Sequence, residues 1–131
     1  GIDTIILCGT TPTPLDKWGS KRSDFAKVAL GAENTVTWKY VEHTKDAVEM
    51  VKKEGCCVIA LEQGEGSVDY KTVTVENHQD VAFVIGNEVE GVSKDVLSFC
   101  DVLAEIPMLG TKESLNVAIA FGIGVYRILG V

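Results

Sequence analysis

Three apolar runs in the sequence each lead directly into a loop-like segment. These segments are Glu62-Gln63-Gly64, Gly86-Asn87-Glu88 and Pro107-Met108-Leu109-Gly110. Short apolar runs rich in β-branched residues suit the strands of a parallel sheet that is covered on both faces. Open parallel sheets bind ligands outside the carboxyl ends of their strands, so the three segments are candidates for one ligand-binding edge.

The segment Gly86–Gly91 (GNEVEG) places a carboxylate, Glu88, at one of these strand ends. Gly86 has no Cβ, so a ligand can approach its backbone closely and a positive φ is tolerated. The same pattern also fits a plain turn that carries two solvated carboxylates. The residues alone leave both interpretations open.

Two polar residues begin a long apolar segment that we predict to be a helix from about Glu113 to Leu129. A helix that is apolar on nearly all sides must be buried, either within the chain or against a partner chain. Asn116 falls in its first turn, and an unpaired buried amide would cost about 1–3 kcal/mol, so Asn116 should bond to a ligand, a loop or the backbone. Helix capping explains Ser114 as well as a site role does, but it explains Asn116 less well.

Several other kinds of site find no support in the sequence. None of the loops is a Walker A phosphate loop or a Rossmann G-x-G-x-x-G. His43 and His78 fall in predicted surface segments, so no Ser-His-Asp set is indicated. The four cysteines form no C-x-x-C pair and lie far from either histidine, which argues against a structural zinc site. Cys8 and the Cys56–Cys57 pair lie in apolar runs, which favours buried, reduced thiols and a cytoplasmic location.

Strands alternate with helices along the chain, which predicts an α/β fold with a parallel sheet in one domain, residues 1–131. The predicted strands are Ile2–Cys8, Thr35–Tyr40, Cys56–Leu61, Val81–Ile85 and Val102–Ile106, with Val68–Val75 as a candidate edge strand. The predicted helices are Ser23–Leu30, Thr44–Glu54, Ser93–Cys100 and Glu113–Leu129.

The composition is that of an ordinary globular domain and excludes several classes of protein. Hydrophobic residues make up 46% and charged residues 24% of the 131 residues, which excludes a disordered chain. The longest uncharged stretch, Ser114–Tyr126, is too short to span a bilayer, which needs about 20 apolar residues. No basic region precedes an apolar start, so we expect neither a signal peptide nor a membrane partner.

The net charge of −7 resides in the second part of the chain. Residues 1–60 carry eight basic and eight acidic side chains, and residues 61–131 carry four and eleven. To bind nucleic acid, a chain with this charge would therefore need a local basic patch. Over Asp16–Lys27 the net charge is +2, and the candidate RNA contacts are Lys17, Trp18, Lys21, Arg22 and Lys27. Trp18 suits stacking on a base, although a solvated loop explains the segment as well.

Two stretches resemble the second and third signature motifs of the SpoU/TrmH branch of the SPOUT RNA methyltransferases. They are FVIGNEVEGV (Phe83–Val92) and EIPMLGTKESLNVAIA (Glu105–Ala120). The stretch Asp24–Tyr40 is also similar to one that many members carry between their first and second motifs. The third motif is long and specific, so the resemblance identifies the family. The resemblance covers most of the chain.

The resemblance implies a SPOUT-type parallel sheet, flanked by helices, with a deep C-terminal trefoil knot. The Gly86–Gly91 and Pro107–Lys112 loops and the last helix would form the knot. The knot would hold S-adenosylmethionine, and the family works as homodimers through the last helix. The implied cofactor-binding residues are Leu61, Glu62, Gly86, Asn87, Ile106, Met108 and Leu115.

The implied reaction is methyl transfer to a ribose 2′-hydroxyl of tRNA or rRNA. The sulfonium cofactor is already activated, so no metal is required, but the 2′-oxygen must be oriented and its proton removed. Ser114 and Asn116 would position the ribose and the catalytic loop. Glu88 would hydrogen-bond either the loop that carries the catalytic base or the substrate itself.

Two departures from the family pattern affect these implications. No residue of this chain matches the Asn and the catalytic Arg of the first motif, so we expect it to lack the strand–helix segment that carries them. Such a chain would bind the cofactor better than it turns over. A catalytically silent SPOUT module that binds RNA or a partner is the alternative, which the intact Glu88, Ser114 and Asn116 disfavour. Ala118 replaces a frequent Ser, which we expect to be a packing change.

Overall fold

The computed structural model describes residues 1–76 and 79–131, so the prediction for His78 lies outside the described residues. The described chain forms two compact units, Gly1–Ala47 and Val48–Val131. Its strands are β1 (Thr4–Cys8), β2 (Thr37–Val41), β3 (Cys57–Leu61), β4 (Val68–Asp69), β5 (Val81–Ile85) and β6 (Val102–Glu105). Its α-helices are α1 (Ser23–Ala29), α2 (Thr44–Lys53), α3 (Lys94–Leu97) and α4 (Val117–Leu129).

The first unit has a parallel pair of strands joined through a helix. β1 and β2 run side by side, with Thr4 opposite Thr37 and Cys8 opposite Val41. α1 ends at Leu30, whose left-handed φ of 52° lets its N–H donate to the carbonyl of Ala26 at 3.0 Å. This is the strand–helix–strand order that the sequence predicts.

The second unit is a parallel sheet with the order β4-β6-β3-β5, so β3 lies between β5 and β6. Val58, Ile59 and Ala60 of β3 are fully buried, as expected for a central strand made of small and β-branched residues. Ile59 shares the core with Val73, Ala104 and Ile128. The predicted α/β fold with a parallel sheet is confirmed.

The end of the sheet opposite the predicted site is fastened by an ion pair. Lys52, in the last turn of α2, donates to a carboxylate oxygen of Asp101 at 2.6 Å and to the carbonyl of Phe99 at 3.0 Å. The other oxygen of Asp101 accepts the N–H of Val58 at 2.8 Å. The end of α2 and the starts of β3 and β6 are therefore connected. Three apolar residues of α2, Ala47, Val48 and Val51, are buried.

The sequence overestimates the length of several elements, among them α3, which ends at Leu97 rather than near Cys100. Only Val68–Asp69 of the predicted edge strand pairs, because the chain then turns through a 3₁₀ helix at Tyr70–Thr72 and buries Val73 in the core. The last helix begins at Val117 rather than near Glu113, because Asn116 caps it.

The cysteines are also less enclosed than predicted. Cys8, Cys56, Cys57 and Cys100 are free thiols that are partly rather than fully buried. Burial still raises the pKa of each thiol, since it disfavours the thiolate.

The last helix, α4, is buried along one face only. Ile128 lies in the core, and Gly124 packs so closely on Leu61 that a Cβ on it would lie 2.8 Å from Leu61 Cδ1. On another face, Ile119, Ile123 and Tyr126 are 56%, 38% and 67% exposed. These three residues follow the i, i+4, i+7 spacing and form a continuous apolar stripe. We call them the α4 stripe.

Candidate functional site

The three predicted strand ends lie at one edge of the sheet in the second unit. Leu61, the last residue of β3, is opposite Ile85 of β5 on one side and Ala104 of β6 on the other. The segments that follow these strands, beginning with Glu62, Gly86 and Ile106, therefore leave the sheet next to one another. This juxtaposition is the one that the parallel arrangement predicts.

The loop Gly86–Gly91 is closed by its own hydrogen bonds. Asn87 Oδ1 accepts the N–H groups of Val89 at 2.9 Å and Glu90 at 2.7 Å, and the N–H of Gly91 donates to the carbonyl of Asn87 at 3.0 Å. A side chain at Gly86 would collide with the backbone of Gly91, so the loop needs glycine there. Glu88 is exposed on this loop.

The side chains of Glu62 and Gln63 join the three segments. Glu62 Oε2 accepts the N–H of Val92 at 3.1 Å, beyond the loop that follows β5. Gln63 Nε2 donates to the carbonyl of Glu113 at 2.8 Å, in the segment between β6 and α4. The sequence assigned Glu62 to the site through its backbone and did not assign Gln63. These contacts join residues that are 30 and 50 positions apart, so no local signal could reveal them.

The segment between β6 and α4 supplies both apolar and polar groups. Ile106, Met108 and Leu115 are half-buried, and Ser114 is exposed ahead of the helix. Asn116 bonds to the backbone, one of its three expected partners, but it precedes the first helical turn, and the prediction that capping explains it less well is wrong. Asn116 is the exposed N-cap, and its Oδ1 accepts the N–H groups of Ala118 at 3.0 Å and Ile119 at 3.4 Å.

The composition of this edge fits an adenosyl cofactor. Ile106, Met108 and Leu115 supply partly buried apolar surface of the kind that contacts an adenine ring or a methionyl chain. Gly86, without a side chain, leaves the end of β5 open to close approach. In the described part of the chain, no group of three or more metal-ligating side chains is placed to hold a metal ion.

The predicted RNA contacts lie in the first unit, and all of them except Lys27 lie on a closed hairpin over residues 14–22. Leu15 and Lys21 pair across it, and the N–H of Arg22 donates to the carbonyl of Pro14 at 2.9 Å. Asp16 Oδ1 accepts the N–H groups of Trp18 and Ser20, each at 2.8 Å, which holds the tip of the hairpin. We call this feature the Trp18 hairpin.

The aromatic and basic side chains of the Trp18 hairpin are mostly accessible. Trp18 is 79% exposed, and the Lys17 ammonium lies 4.9 Å from the centroid of its ring. Lys21 donates to Asn34 Oδ1 at 2.7 Å. Lys27, on α1, is exposed.

Arg22 differs from the lysines because an acidic neighbour holds it. It makes a two-point contact with Asp24, at 3.1 and 2.6 Å, and this bonding lowers the pKa of Asp24. Part of the predicted positive patch is therefore neutralised within the chain. An open cavity of about 630 Å³ lies beside the hairpin, lined by Thr13, Leu15, Asp16, Lys17, Arg22 and Tyr40.

Two smaller expectations can be compared with the structure. His43 is exposed, and its carbonyl accepts the N–H of Ala47 at 3.2 Å at the start of α2, so the predicted surface position is confirmed. No helix in the described residues is long and apolar enough to cross a membrane.

Residues 2–126 match the model of the SpoU rRNA Methylase family, and the chain belongs to this family. The resemblance inferred from the two motifs is confirmed.

Curated relatives include enzymes that act on two kinds of RNA. The chain is 28% identical over 102 residues to a tRNA (guanosine(18)-2′-O)-methyltransferase of Borreliella burgdorferi, covering 78% of this chain and 46% of the relative. It is 32% identical over 109 residues to the 23S rRNA (guanosine-2′-O-)-methyltransferase RlmB of Neisseria meningitidis serogroup B, covering 83% and 42%. The chain thus spans about half the length of these relatives.

Solved structures agree with this assignment. An AdoMet-bound rRNA methyltransferase from Sinorhizobium meliloti is 28% identical with a TM-score of 0.80, over 95% of this chain and 44% of that one. The Aquifex aeolicus TrmH/SpoU tRNA modifying enzyme has a TM-score of 0.74 at 22% identity, over 97% and 74%, a likeness that shows the fold.

Proposed function

We propose that this chain carries the cofactor site of an enzyme that methylates a ribose 2′-hydroxyl of tRNA or rRNA. The observation that carries the proposal is the meeting of three strand ends at the level of Leu61, each followed by a segment of the predicted site. Family membership and the activities named for the relatives support the same reaction.

S-adenosylmethionine, when bound, supplies an activated methyl group. The protein therefore has to bind the cofactor, orient the ribose and remove the proton of its 2′-hydroxyl. We assign binding to Leu61, Glu62, Gly86, Asn87, Ile106, Met108 and Leu115. Ser114 and the Nδ2 donors of Asn116, whose Oδ1 caps α4, orient the ribose. Glu88, exposed on its loop, bonds the catalytic loop or the substrate.

We assign RNA contact to the first unit, at Lys17, Trp18, Lys21, Arg22 and Lys27. The Trp18 hairpin supports this assignment, because its tip is held by backbone hydrogen bonds while the ring remains exposed. A base can stack on such a ring without first having to order it. Since Asp24 already engages Arg22, the lysines supply most of the attraction for phosphate.

Three further properties complete the proposal. The α4 stripe forms the homodimer interface, because apolar side chains at helical spacing lie exposed along it. The trefoil knot that the family resemblance implies is formed by α4 and by the loops Gly86–Gly91 and Pro107–Lys112. The protein works in the cytoplasm, where its four free thiols stay reduced.

Calorimetric titration with S-adenosylhomocysteine, together with a thermal melt, tests the cofactor site. We expect a dissociation constant on the order of micromolar, and ligand at 100 times that value should add about 2.7 kcal/mol of stability. Met108→Ala should weaken binding because Met108 is half-buried at the edge. The matched control is its neighbour Leu109→Ala, because Leu109 is 99% exposed.

The outcomes separate the two functional classes. Binding that Met108→Ala weakens and Leu109→Ala leaves unchanged supports the methyltransferase. Lack of binding at millimolar ligand, in this chain and in a full-length form of the protein, would favour a silent module that binds RNA or a partner.

A further inference from the structure

We infer that the side chains of Glu62 and Gln63 are positioning residues, which together hold the two loops of the site against the end of β3. They form a clamp of two successive residues, one directed to each neighbouring loop. The consequence for cofactor affinity rests on the proposed function. The mechanical part of the inference, the restraint of the two loops, is independent of the proposed function.

Both oxygens of the Glu62 carboxylate are engaged by backbone N–H groups. Oε1 accepts the N–H of Gln63 at 2.9 Å, which fixes the side chain, and Oε2 accepts the N–H of Val92 at 3.1 Å. Oε2 also lies against Gly91, where a Cβ would occupy its place. Gly91 has a φ of 63°, a left-handed conformation that favours glycine. The carboxylate thus fills the position where the loop Gly86–Gly91 returns to the sheet.

Gln63 restrains the other loop. Its Nε2 donates to the carbonyl of Glu113 at 2.8 Å, immediately before Ser114 and three residues before the cap of α4. Because β3 is the central strand, the dipeptide that follows it is placed to reach the connections of both β5 and β6. A residue after an edge strand would have only one such neighbour.

The tips of the two loops are open to solvent. Val89 and Leu109, at their tips, are 92% and 99% exposed, so burial contributes little to holding either loop. Hydrogen bonds to a charged group are stronger than neutral ones. Neither Glu62 nor Gln63 belongs to the buried core, so removing their side chains should loosen the loops while the sheet stays folded.

The experiment compares Glu62→Ala, Glu62→Gln and Gln63→Ala with the control Glu65→Ala, an exposed carboxylate in the same connection. Three quantities are measured: S-adenosylhomocysteine affinity, amide hydrogen exchange and melting temperature. Glu62→Ala should weaken binding about tenfold or more and speed exchange in residues 86–92. Gln63→Ala should speed exchange in residues 113–116 and weaken binding less.

Glu62→Gln keeps the shape but presents one oxygen in place of two, so its affinity should lie between those of the wild type and Glu62→Ala. This graded loss, at an unchanged melting temperature, is the readout that a merely structural role would not give. It also keeps the test usable if Glu62→Ala does not fold.

Two results would overturn the clamp: exchange unchanged in both loops, or Glu65→Ala matching Glu62→Ala. Faster exchange with wild-type affinity would overturn its consequence for cofactor binding. A wild-type chain that binds no S-adenosylhomocysteine would instead contradict the proposed function. The exchange measurement would then decide the mechanical part alone, since local loosening supports it and unchanged rates refute it.

Discussion

The side chain of Asn116 has one observed and one proposed role, which substitution can separate. Its Oδ1 caps α4, and we assign its Nδ2 donors to the ribose. Asn116→Ala should lose the cap, at a cost of about 1 kcal/mol, and should also abolish methyl transfer. Asn116→Ser keeps a capping oxygen, so its stability should stay within a few tenths of a kcal/mol while transfer is still lost. Urea denaturation and a methyl-transfer assay on a full-length form measure the two effects.

Asn116→Ser supplies the decisive comparison. Wild-type transfer by this variant would remove the Nδ2 donors from the mechanism and leave Asn116 as a cap. Loss of stability as large as that of Asn116→Ala would show instead that the serine does not cap the helix.

The carboxylate of Asp101 provides a prediction about pH. Partial desolvation opposes its ionisation, but the hydrogen bonds from Lys52 and the N–H of Val58 outweigh it, so its pKa is lowered. A lowered pKa contributes stability above the unfolded value of about 3.9, and that stability is lost as pH falls through the folded value. Asp101→Asn should therefore be less stable than the wild type near neutral pH by about 1 kcal/mol, since the group is partly exposed.

The difference between Asp101→Asn and the wild type should shrink as the pH falls below about 4 and vanish below both pKa values. Denaturant unfolding at a series of pH values measures it. The control is Asp3→Asn, an exposed carboxylate near the start of the chain. A difference that does not change with pH would mean that packing, and not the charge of Asp101, is responsible.

At the scale of the element, α4 has a face that the described chain leaves uncovered. Ile123→Glu, in the middle of the α4 stripe, should convert a dimer to a monomer, because an unpaired charge would be buried in the interface. Light scattering after size-exclusion chromatography gives the mass directly. Val28→Glu changes an equally apolar residue on α1 that is 84% exposed, and it should leave the mass unchanged.

The results for this helix can contradict the proposal in two ways. A wild-type chain that is monomeric at high concentration would show that the α4 stripe does not join two copies. A dimer that survives Ile123→Glu would show that the interface lies elsewhere.

Elements were predictable where the local pattern and the tertiary environment agree. Val81–Ile85 was predicted to the residue, because it is a short apolar run bounded by Asp80 and Gly86. The start of α4 was wrong by four residues, because the sequence analysis favoured Ser114 over Asn116 as a cap, whereas Asn116 caps the helix. The sequence pattern of Val68–Val75 predicts one strand. In the structure Val73 is buried in the core instead, and the strand pairing ends at Asp69.

The candidate site divides in the same way. Its backbone positions follow from the ends of parallel strands, which a sequence can reveal. The contacts of Glu62 with Val92 and of Gln63 with Glu113 depend on strand order, which the alternation of strands and helices does not specify. The sequence therefore predicted which segments meet at this edge of the sheet, but not the side-chain contacts that join them.

At the scale of the whole molecule, charge is distributed unevenly. Gly1–Ala47 has six basic and six acidic side chains, whereas Val48–Val131 has six and thirteen. RNA should therefore bind through the first unit. Trp18→Ala should weaken tRNA binding by about 1–3 kcal/mol, and Lys27→Ala should reduce the slope of log affinity against log salt by about 0.7.

Fluorescence anisotropy with labelled tRNA over a range of salt concentrations measures both quantities. Lys94→Ala, an exposed lysine of the acidic second unit, is the matched control and should leave the slope unchanged. Equal effects of Lys27→Ala and Lys94→Ala would show that RNA does not favour the first unit.

The central position of β3 has a consequence for how the chain is made. β3 is synthesised before both of its neighbours. During synthesis, one of its hydrogen-bonding edges therefore stays unpaired until β5 is made, and the other until β6 is made. Pairings between distant parts of a chain form slowly, and an apolar strand with open edges can pair with another chain in the meantime. The nascent protein is therefore most exposed to aggregation after Leu61 has emerged and before Val102 follows, the interval in which a chaperone would help it most.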